Sequence, residues 1–145
     1  MSASKNNTRL TETILDNIVE DRKDFLELQK SEFSLKDLES LFAASDQKLR
    51  SPQNFGSRLR SGSKSTPESA KIRLIGEIKR ASPSKGDFNI GLISSEQAGL
   101  YRDIGCAAVS VLTEEKYFKG SIKDLSDVSD LFSAEVGSPG IIRND

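Results

Sequence analysis

Residues Gly76 to Gly86 read GEIKRASPSKG, and this stretch is the most informative part of the chain. The residues leading into it are mostly apolar or β-branched, which predicts a strand from Arg73 to Lys79. Because side chains alternate along a strand, we expect Glu77 and Lys79 to share one face near its carboxyl end. Ligands bind at that end of parallel α/β sheets. The Ser, Pro and Gly residues that follow are typical of a turn that holds a phosphate or carboxylate, with Lys85 beside it.

An exposed ion pair is the alternative interpretation of an isolated Glu-x-Lys triplet, since surface pairs are common and stabilise little. The hydroxyl-rich turn after the triplet favours ligand binding instead. The chain contains no histidine, so proton transfer within it has to use Lys, Glu, Asp, Tyr or the single cysteine. Serine hydrolase triads and histidine zinc sites are therefore excluded.

Strands and helices are predicted to alternate from Lys71 onwards. A continuous run of small and β-branched residues predicts a second strand at Ala107–Thr113, buried on both faces. A third strand is predicted at Gly140–Asn144. Alternation of this kind is typical of a parallel sheet with helical crossovers.

Two helices are predicted between these strands. Ser94 with Gln97 reads as a capping box for the first, which should end before Gly105. Ser121 is the predicted cap of the second.

Two amphipathic helices are predicted ahead of the strands. Thr11 is the predicted cap of the first, in which apolar residues recur at helical spacing as far as Leu26. Ser34 is predicted to open the second. A Ser- and Pro-rich connection follows, within which Phe55 and Leu59 predict a short helical turn.

Composition limits the partners and the compartment of the 145-residue chain. Its 21 basic and 22 acidic residues show no nucleic-acid footprint. No apolar run approaches the roughly eighteen residues of a membrane span. The one cysteine, Cys106, excludes an internal disulfide and lies among small residues, so we expect a buried thiol in a reducing setting. We expect a cytoplasmic location, or a plastid one in a source that has plastids.

Several segments together resemble the indole-3-glycerol-phosphate synthase family of tryptophan biosynthesis. GEIKRASPSKGDFN resembles its first barrel strand and loop, AAVSVLTEEKYFKGS at residues 107–121 its second, and GIIRND at residues 140–145 its third. ILDNIVEDRKDFLE at residues 14–27 is similar to the family's leading helix, and NFGSRLR at residues 54–60 to its segment before the barrel. The two long motifs in this order are highly specific.

The resemblance implies an α/β fold, an incomplete TIM (β/α)8 barrel preceded by a helical extension. The expected organisation is a disordered tail at 1–9, an amino-terminal helical extension at 10–44, a polar linker at 45–70 and a partial barrel at 71–145. A complete barrel needs roughly 250 residues, so we expect the front part of an enzyme, inactive alone. Three parallel strands should leave an apolar inner face and an unpaired edge in water.

The implied reaction closes the indole ring of 1-(2-carboxyphenylamino)-1-deoxyribulose 5-phosphate, with loss of carbon dioxide and water. The family uses no cofactor and no metal. The expected partner is this small phosphorylated substrate, with a pathway enzyme or a complementary barrel fragment as a further candidate. No nucleic-acid or membrane partner is expected. The alternative is a non-catalytic fragment that acts as a partner-binding or assembly module.

The resemblance also carries residue roles. Lys79 matches the family's first-strand lysine, which contacts anionic groups of the substrate, and Glu77 matches the carboxylate that positions or exchanges protons with the reacting centre. We assign Glu77 to positioning. Ser82 matches a serine that hydrogen-bonds the substrate carboxylate, and Phe118 an aromatic wall of the ring pocket. The charges of the second loop, Glu114, Glu115 and Lys116, are expected to be solvated.

The third strand departs from the family pattern. The family places a lysine, its main general acid, immediately before an acidic residue, whereas this chain has Asn144 before Asp145. An amide can hydrogen-bond an oxyanion but donates no proton at neutral pH. Loss of a positioned acid typically costs about 10² to 10⁴ in rate. Arg143 should face the opposite way from Asn144.

Overall fold

The computed structural model describes residues 13–44, 55–60, 73–133 and 137–145. The chain divides into two compact units, Met1–Arg50 and Ser51–Asp145. The tail expected at 1–9 and most of the linker expected at 45–70 lie outside the described residues, so those boundaries stay predictions.

The first unit contains helix α1, Ile14–Glu32, and helix α2, Leu35–Ala44. The predicted cap Thr11 is wrong, because Thr13 caps α1. The Thr13 backbone N–H donates to the Asp16 carboxylate at 2.9 Å, and the Asp16 N–H donates to the Thr13 hydroxyl at 3.3 Å. The side-chain hydrogen bond from Thr13 holds the pKa of Asp16 below its ordinary value. The helix therefore begins where an acidic residue stands three positions after a threonine.

Helix α2 begins directly after Ser34, as predicted. The Ser34 hydroxyl and N–H both donate to the Asp37 carboxylate, at 2.6 and 2.8 Å. Neither α1 nor α2 has a buried residue. Large apolar side chains on both helices remain exposed, with Leu15 at 63% and Leu35 at 70%.

The second unit begins with a short helix and continues as alternating strands and helices. Its elements are α3 Phe55–Arg60, β1 Ile75–Ile78, β2 Ala81–Ser82, β3 Gly86–Asp87, α4 Ser94–Asp103, β4 Ala108–Leu112, α5 Ile122–Ser133 and β5 Gly140–Asn144. The helical turn predicted at Phe55 and the three long strands are confirmed. β1 is shorter than predicted.

Strands β1, β4 and β5 form a parallel sheet in that order. Glu77 pairs with Ser110, and Ser110 pairs with Ile142, so these residues form one row across the sheet. The sheet has β1 and β5 at its two edges and, within the described residues, is not a closed barrel. The predicted parallel α/β architecture is confirmed at this level.

One face of the sheet packs against α4 and α5. The buried cluster on this side consists of Ile78, Ala98, Val109, Val111, Val128 and Phe132. All five residues of β4 are buried, as expected for a strand covered on both faces. On the opposite face Ile75 is 47% exposed, so the expectation of an apolar face in water holds for β1 but not for β4.

The helix caps of this unit differ from one another. The predicted cap Ser94 is wrong: Ile93 occupies the cap position of α4 without a side-chain hydrogen bond. Ser94 is only 2% exposed, and its hydroxyl donates instead to the Asp124 carboxylate. Ser121 does cap α5, since its hydroxyl accepts the Asp124 N–H at 3.1 Å.

Arg80 joins the two loops at the carboxyl ends of β1 and β4. Its guanidinium donates to both Asp124 carboxylate oxygens, at 2.8 and 2.7 Å. It also donates to the Leu92 carbonyl at 3.1 and 2.8 Å and to the Lys119 carbonyl at 3.1 Å. The Arg80 and Asp124 side chains are 16% and 9% exposed. This is the bidentate geometry in which arginine binds carboxylate most strongly.

The Arg80–Asp124 pair shifts the pKa values of both residues. Burial of Asp124 acts to raise its pKa, but hydrogen bonds from Arg80, Ser121 and Ser94 outweigh burial and leave that pKa below its ordinary value. The hydrogen bond to Asp124 raises the pKa of Arg80. Both groups are therefore charged at neutral pH.

Gly76 is required by the packing of β1 on α4. A side chain at this position would collide with the Tyr101 ring, and the Tyr101 hydroxyl donates to the Glu77 carbonyl at 2.9 Å. We expect Gly76→Ala to lower the free energy of unfolding by about 2 kcal/mol through overpacking. Both tyrosines of the chain lie in this unit, so urea unfolding followed by tyrosine fluorescence measures it.

Gly99→Ala is the matched control for that substitution. Gly99 lies within α4, where the nearest atom to an added methyl group is 3.9 Å away. This change should raise stability by up to about 1 kcal/mol, because alanine favours helix more than glycine. Equal effects at positions 76 and 99 would contradict the packing described here.

The stability of this unit depends on pH through Asp124. Because the pKa of Asp124 is lowered from 3.8 in the folded chain, its contribution is complete above about pH 4 and is lost as the pH falls through the lowered value. Asp124→Asn should lower the free energy of unfolding by roughly 3 kcal/mol at pH 7 and flatten its decline below pH 4. Urea midpoints measured from pH 7 to pH 3 check both effects.

Asp127→Asn removes the same charge from an exposed pair and is the control. Lys123 and Asp127 are 80% and 37% exposed, so this change should cost less than about 1 kcal/mol and keep the decline in acid. An Asp124→Asn variant with the acid sensitivity of the unmodified chain would refute the assignment.

Candidate active site at the carboxyl ends of the strands

Glu77 and Lys79 lie together at the end of β1. The Lys79 Nζ atom is 2.5 Å from a Glu77 carboxylate oxygen, and the two side chains are 34% and 42% exposed. Their shared face, predicted from strand alternation, is confirmed. An ammonium has three N–H donors, so the contact with Glu77 leaves donors on the accessible lysine for an anionic ligand.

Ser82 lies in a short hairpin directly after this pair. The hairpin is the antiparallel pair β2 and β3, in which Ser82 is opposite Gly86. The Ser82 hydroxyl is 3.4 Å from the Ser84 hydroxyl, and the Ser82 carbonyl accepts the Lys85 N–H at 3.2 Å. Gly86 has a φ of 65°, which glycine adopts without strain. The turn thus presents two hydroxyls able to donate to a carboxylate or phosphate.

Phe118 is brought to the same end of the sheet by its backbone. Its carbonyl accepts the N–H groups of Arg80 and Ala81, each at 3.2 Å. These two residues lie between Lys79 and Ser82 in the chain. The loop after β4 is therefore attached to the segment that carries the other candidate residues, and the half-buried Phe118 side chain starts from this point.

Asn144 lies at the end of β5, paired with Leu112 in the sheet. It is two residues beyond Ile142, which shares a row with Glu77, so Asn144 belongs to the same face as that carboxylate. Arg143 lies on the other face, as predicted, and it also pairs with Asp145 at 2.7 Å. Within the described residues no hydrogen bond joins the Asn144 or Ser82 side chain to the Glu77–Lys79 pair.

Glu114 was expected to be a solvated loop charge, and this is wrong. It is 3% exposed, and its carboxylate accepts the N–H groups of Lys116, Tyr117 and Phe118 at 2.9, 2.6 and 3.1 Å. Glu115 and Lys116 are exposed, as expected. Residue type alone does not indicate which of two adjacent glutamates, Glu114 or Glu115, is buried and which is exposed. The available signal was the position of Glu114 directly after the predicted strand Ala107–Thr113, which was expected to be buried on both faces.

A cavity of about 350 Å³ opens near the candidate site but does not include its residues. It is bounded by Arg80, Ser94, Ser121 and Asp124, whose polar atoms already bond to one another, and by Lys119 and Lys123. We therefore do not assign it to the substrate.

The described residues offer neither a metal site nor a membrane-spanning helix. Residues 13–44, 55–60, 73–133 and 137–145 contain no cluster of three or more His, Cys, Asp or Glu that could hold a metal ion. No helix in those same ranges has the length and apolar character to cross a membrane.

Comparisons with known proteins identify the family. A sequence model described as Indole-3-glycerol phosphate synthase matches residues 15–140. A protein of that name from Aliarcobacter butzleri is 39% identical over 124 residues, which cover 83% of this chain and 43% of the relative. One from Oceanobacillus iheyensis is 45% identical over 69 residues, covering 48% of this chain and 26% of the relative.

A third relative is the multifunctional tryptophan biosynthesis protein of Schizosaccharomyces pombe. It is 42% identical over 76 residues, which cover 52% of this chain and 10% of that protein. The chain spans less than half the length of each of these three relatives. Because the family model matches most of its residues, the chain belongs to the indole-3-glycerol phosphate synthase family.

Proposed function

We propose that the chain supplies the amino-terminal part of an indole-3-glycerol phosphate synthase active site, as the first three strands of a TIM barrel. The observation that carries this is the Glu77–Lys79 pair, which lies at the carboxyl end of β1 beside the Ser82 hairpin. TIM-barrel enzymes place their active sites at this end of the strands. The family match supports the same function.

The substrate offers three groups for recognition: a carboxylated aromatic ring, a keto group and a phosphate. In the proposal Lys79 binds an anionic group of the substrate, as a long point charge suited to phosphate. Glu77 orients Lys79 and the reacting centre through its ion pair. The Ser82 hydroxyl donates to the ring carboxylate, and Phe118 packs against the ring.

The reaction requires a proton donor. The ring carbon that bears the carboxylate attacks the keto carbon, a carbon–carbon bond forms, and the carbonyl oxygen takes a proton to become a hydroxyl. Loss of carbon dioxide restores the aromatic ring. The hydroxyl then takes a proton and leaves as water, and a base removes a proton from the neighbouring CH2 carbon, which forms the double bond that completes the indole. At the β5 position Asn144 can stabilise the developing oxyanion by hydrogen bonding but cannot protonate it.

A complete active site of this kind needs further strands. The described sheet has unpaired edges at β1 and β5, and a barrel closes only when both edges are paired. Activity therefore depends on a polypeptide that supplies the later strands. A cytoplasmic setting belongs to the proposal as well, consistent with the buried free thiol of Cys106.

Complementation tests the function and the role of Lys79 together. We expect no turnover of the carboxyphenylamino substrate by the purified chain, and indoleglycerol phosphate formation after mixing with a fragment that carries strands four to eight of a family member. Lys79→Gln should raise KM about tenfold or more, since one charge-assisted hydrogen bond is lost. The exposed Lys123 provides the control Lys123→Gln, which should leave KM unchanged.

Two results would contradict this assignment. Turnover by the chain alone would remove the need for further strands. Equal kinetics for Lys79→Gln and Lys123→Gln would remove Lys79 from the site.

Asn144 gives a gain-of-function prediction. Asn144→Lys should raise kcat of the complemented enzyme by about 10² to 10⁴, because it introduces a proton donor on the face shared with Glu77. Asn144→Gln keeps the amide and adds length, so it separates charge from size. A lysine variant no faster than the glutamine variant would exclude position 144 as the source of the proton.

A non-catalytic assembly module is the second candidate. It is favoured by Asn144 and by the exposed apolar side chains of α1 and α2, including Leu15 and Leu35. A chain that unfolds cooperatively and joins the later-strand fragment, yet binds no substrate in that assembly, would support this alternative.

A further inference from the structure

Glu114 organises the loop between β4 and α5. Its buried carboxylate accepts three consecutive backbone N–H groups, from Lys116 on one oxygen and from Tyr117 and Phe118 on the other. Hydrogen bonds to an ionised acceptor are shorter and stronger than neutral ones. One side chain therefore determines the course of the backbone that leads to Phe118.

The same residue also closes the far end of the loop. The Glu114 carbonyl accepts the Gly120 N–H at 2.9 Å. A side chain at Gly120 would collide with the Leu112 carbonyl, so the loop returns tightly against the end of β4. Residues 114–120 thus form a loop whose two ends are joined by a backbone hydrogen bond and whose last residue lies against the end of β4.

This loop is bonded to the segment that carries the other candidate residues. Phe118 donates its N–H to Glu114 and accepts with its carbonyl the N–H groups of Arg80 and Ala81. Lys79 directly precedes this segment and Ser82 directly follows it. A continuous series of hydrogen bonds therefore runs from the Glu114 carboxylate to the backbone between the two proposed substrate ligands.

We propose that Glu114 is a positioning residue that sets the distance between the aromatic wall at Phe118 and the anion-binding groups of Lys79 and Ser82. It thereby selects ligands in which a flat carboxylated ring is joined by a short linker to a phosphate. The inference rests on the proposed function for the identity of the ligand. The hydrogen bonds that carry it do not depend on that function.

Glu114→Gln tests the inference with little change in size. It replaces one acceptor oxygen by an NH2 group that cannot accept the backbone N–H groups. Substrate Kd is measured for the assembly with the later-strand fragment, through the fluorescence of the substrate's own aromatic ring. We expect Kd to rise about tenfold, as for the loss of one charge-assisted hydrogen bond. The exposed neighbour gives the matched control Glu115→Gln, expected to leave Kd unchanged.

A double-mutant cycle separates positioning from simple stability. If Glu114 acts through Phe118, Glu114→Gln should have little further effect on Kd in a Phe118→Leu background. A residue that only stabilises the fold would weaken binding by the same factor in both backgrounds. Additive effects would therefore overturn the proposal.

Amide hydrogen exchange on the chain alone supplies a readout without substrate. In Glu114→Gln the N–H groups of residues 116–118 should exchange about tenfold faster or more, whereas those of Val109 and Val111 keep their protection. If β4 loses protection as well, Glu114→Asp, which keeps the charge and shortens the side chain, replaces the glutamine variant in both experiments.

The outcomes distinguish this inference from the function on which it rests. An unmodified assembly that binds no substrate would overturn the proposed function, and the selection of ligands by Glu114 with it. Normal binding by that assembly, with an unchanged Kd in the position 114 variant, would overturn this inference alone.

Discussion

The bidentate pair between Arg80 and Asp124 is the interaction on which the candidate site depends. It connects the segment after β1 to the first turn of α5, and further bonds from Arg80 reach the Leu92 and Lys119 carbonyls. Lys79, one residue earlier, pairs with Glu77 instead. The two adjacent cations therefore have different roles. Arg80 bonds the loops to helix α5, whereas Lys79 stays accessible beside the Glu77 carboxylate.

Most elements of the fold could be predicted from local pattern. The uninterrupted apolar run of β4 indicates burial on both faces, and β5 matches its predicted range Gly140–Asn144. The N-terminal caps of α1 and α4 could not be predicted in this way. Thr11 and Ser94 fit a capping motif locally, but Thr13 has an acidic residue at the right spacing, and the Ser94 hydroxyl is used by Asp124 from another helix. Competition between local and distant acceptors cannot be read from a window of residues.

In the candidate site, too, some features follow from local sequence pattern and others depend on the folded structure. The shared face of Glu77 and Lys79 follows from alternation along one strand, and the placement of Asn144 follows from alternation along another. The attachment of Phe118 to Arg80 and Ala81 is a backbone contact between distant segments, so no local pattern predicts it. The burial of Glu114 has a different origin, because its partners are backbone N–H groups only two to four residues further along the chain. These N–H groups converge on one carboxylate only when the loop is folded, so the order of residues alone does not predict the burial.

The Glu77–Lys79 contact has a consequence for small anions. If Lys79 binds substrate as proposed, the ligand shares the ammonium with Glu77, a tethered carboxylate with an effective concentration on the order of millimolar or higher. Free inorganic phosphate at lower concentration would not displace this carboxylate and would be held only by the remaining N–H donors of Lys79. A ligand that is also held at a second point gains the same advantage of tethering, so under the proposal this arrangement favours molecules with two anchors over simple ions.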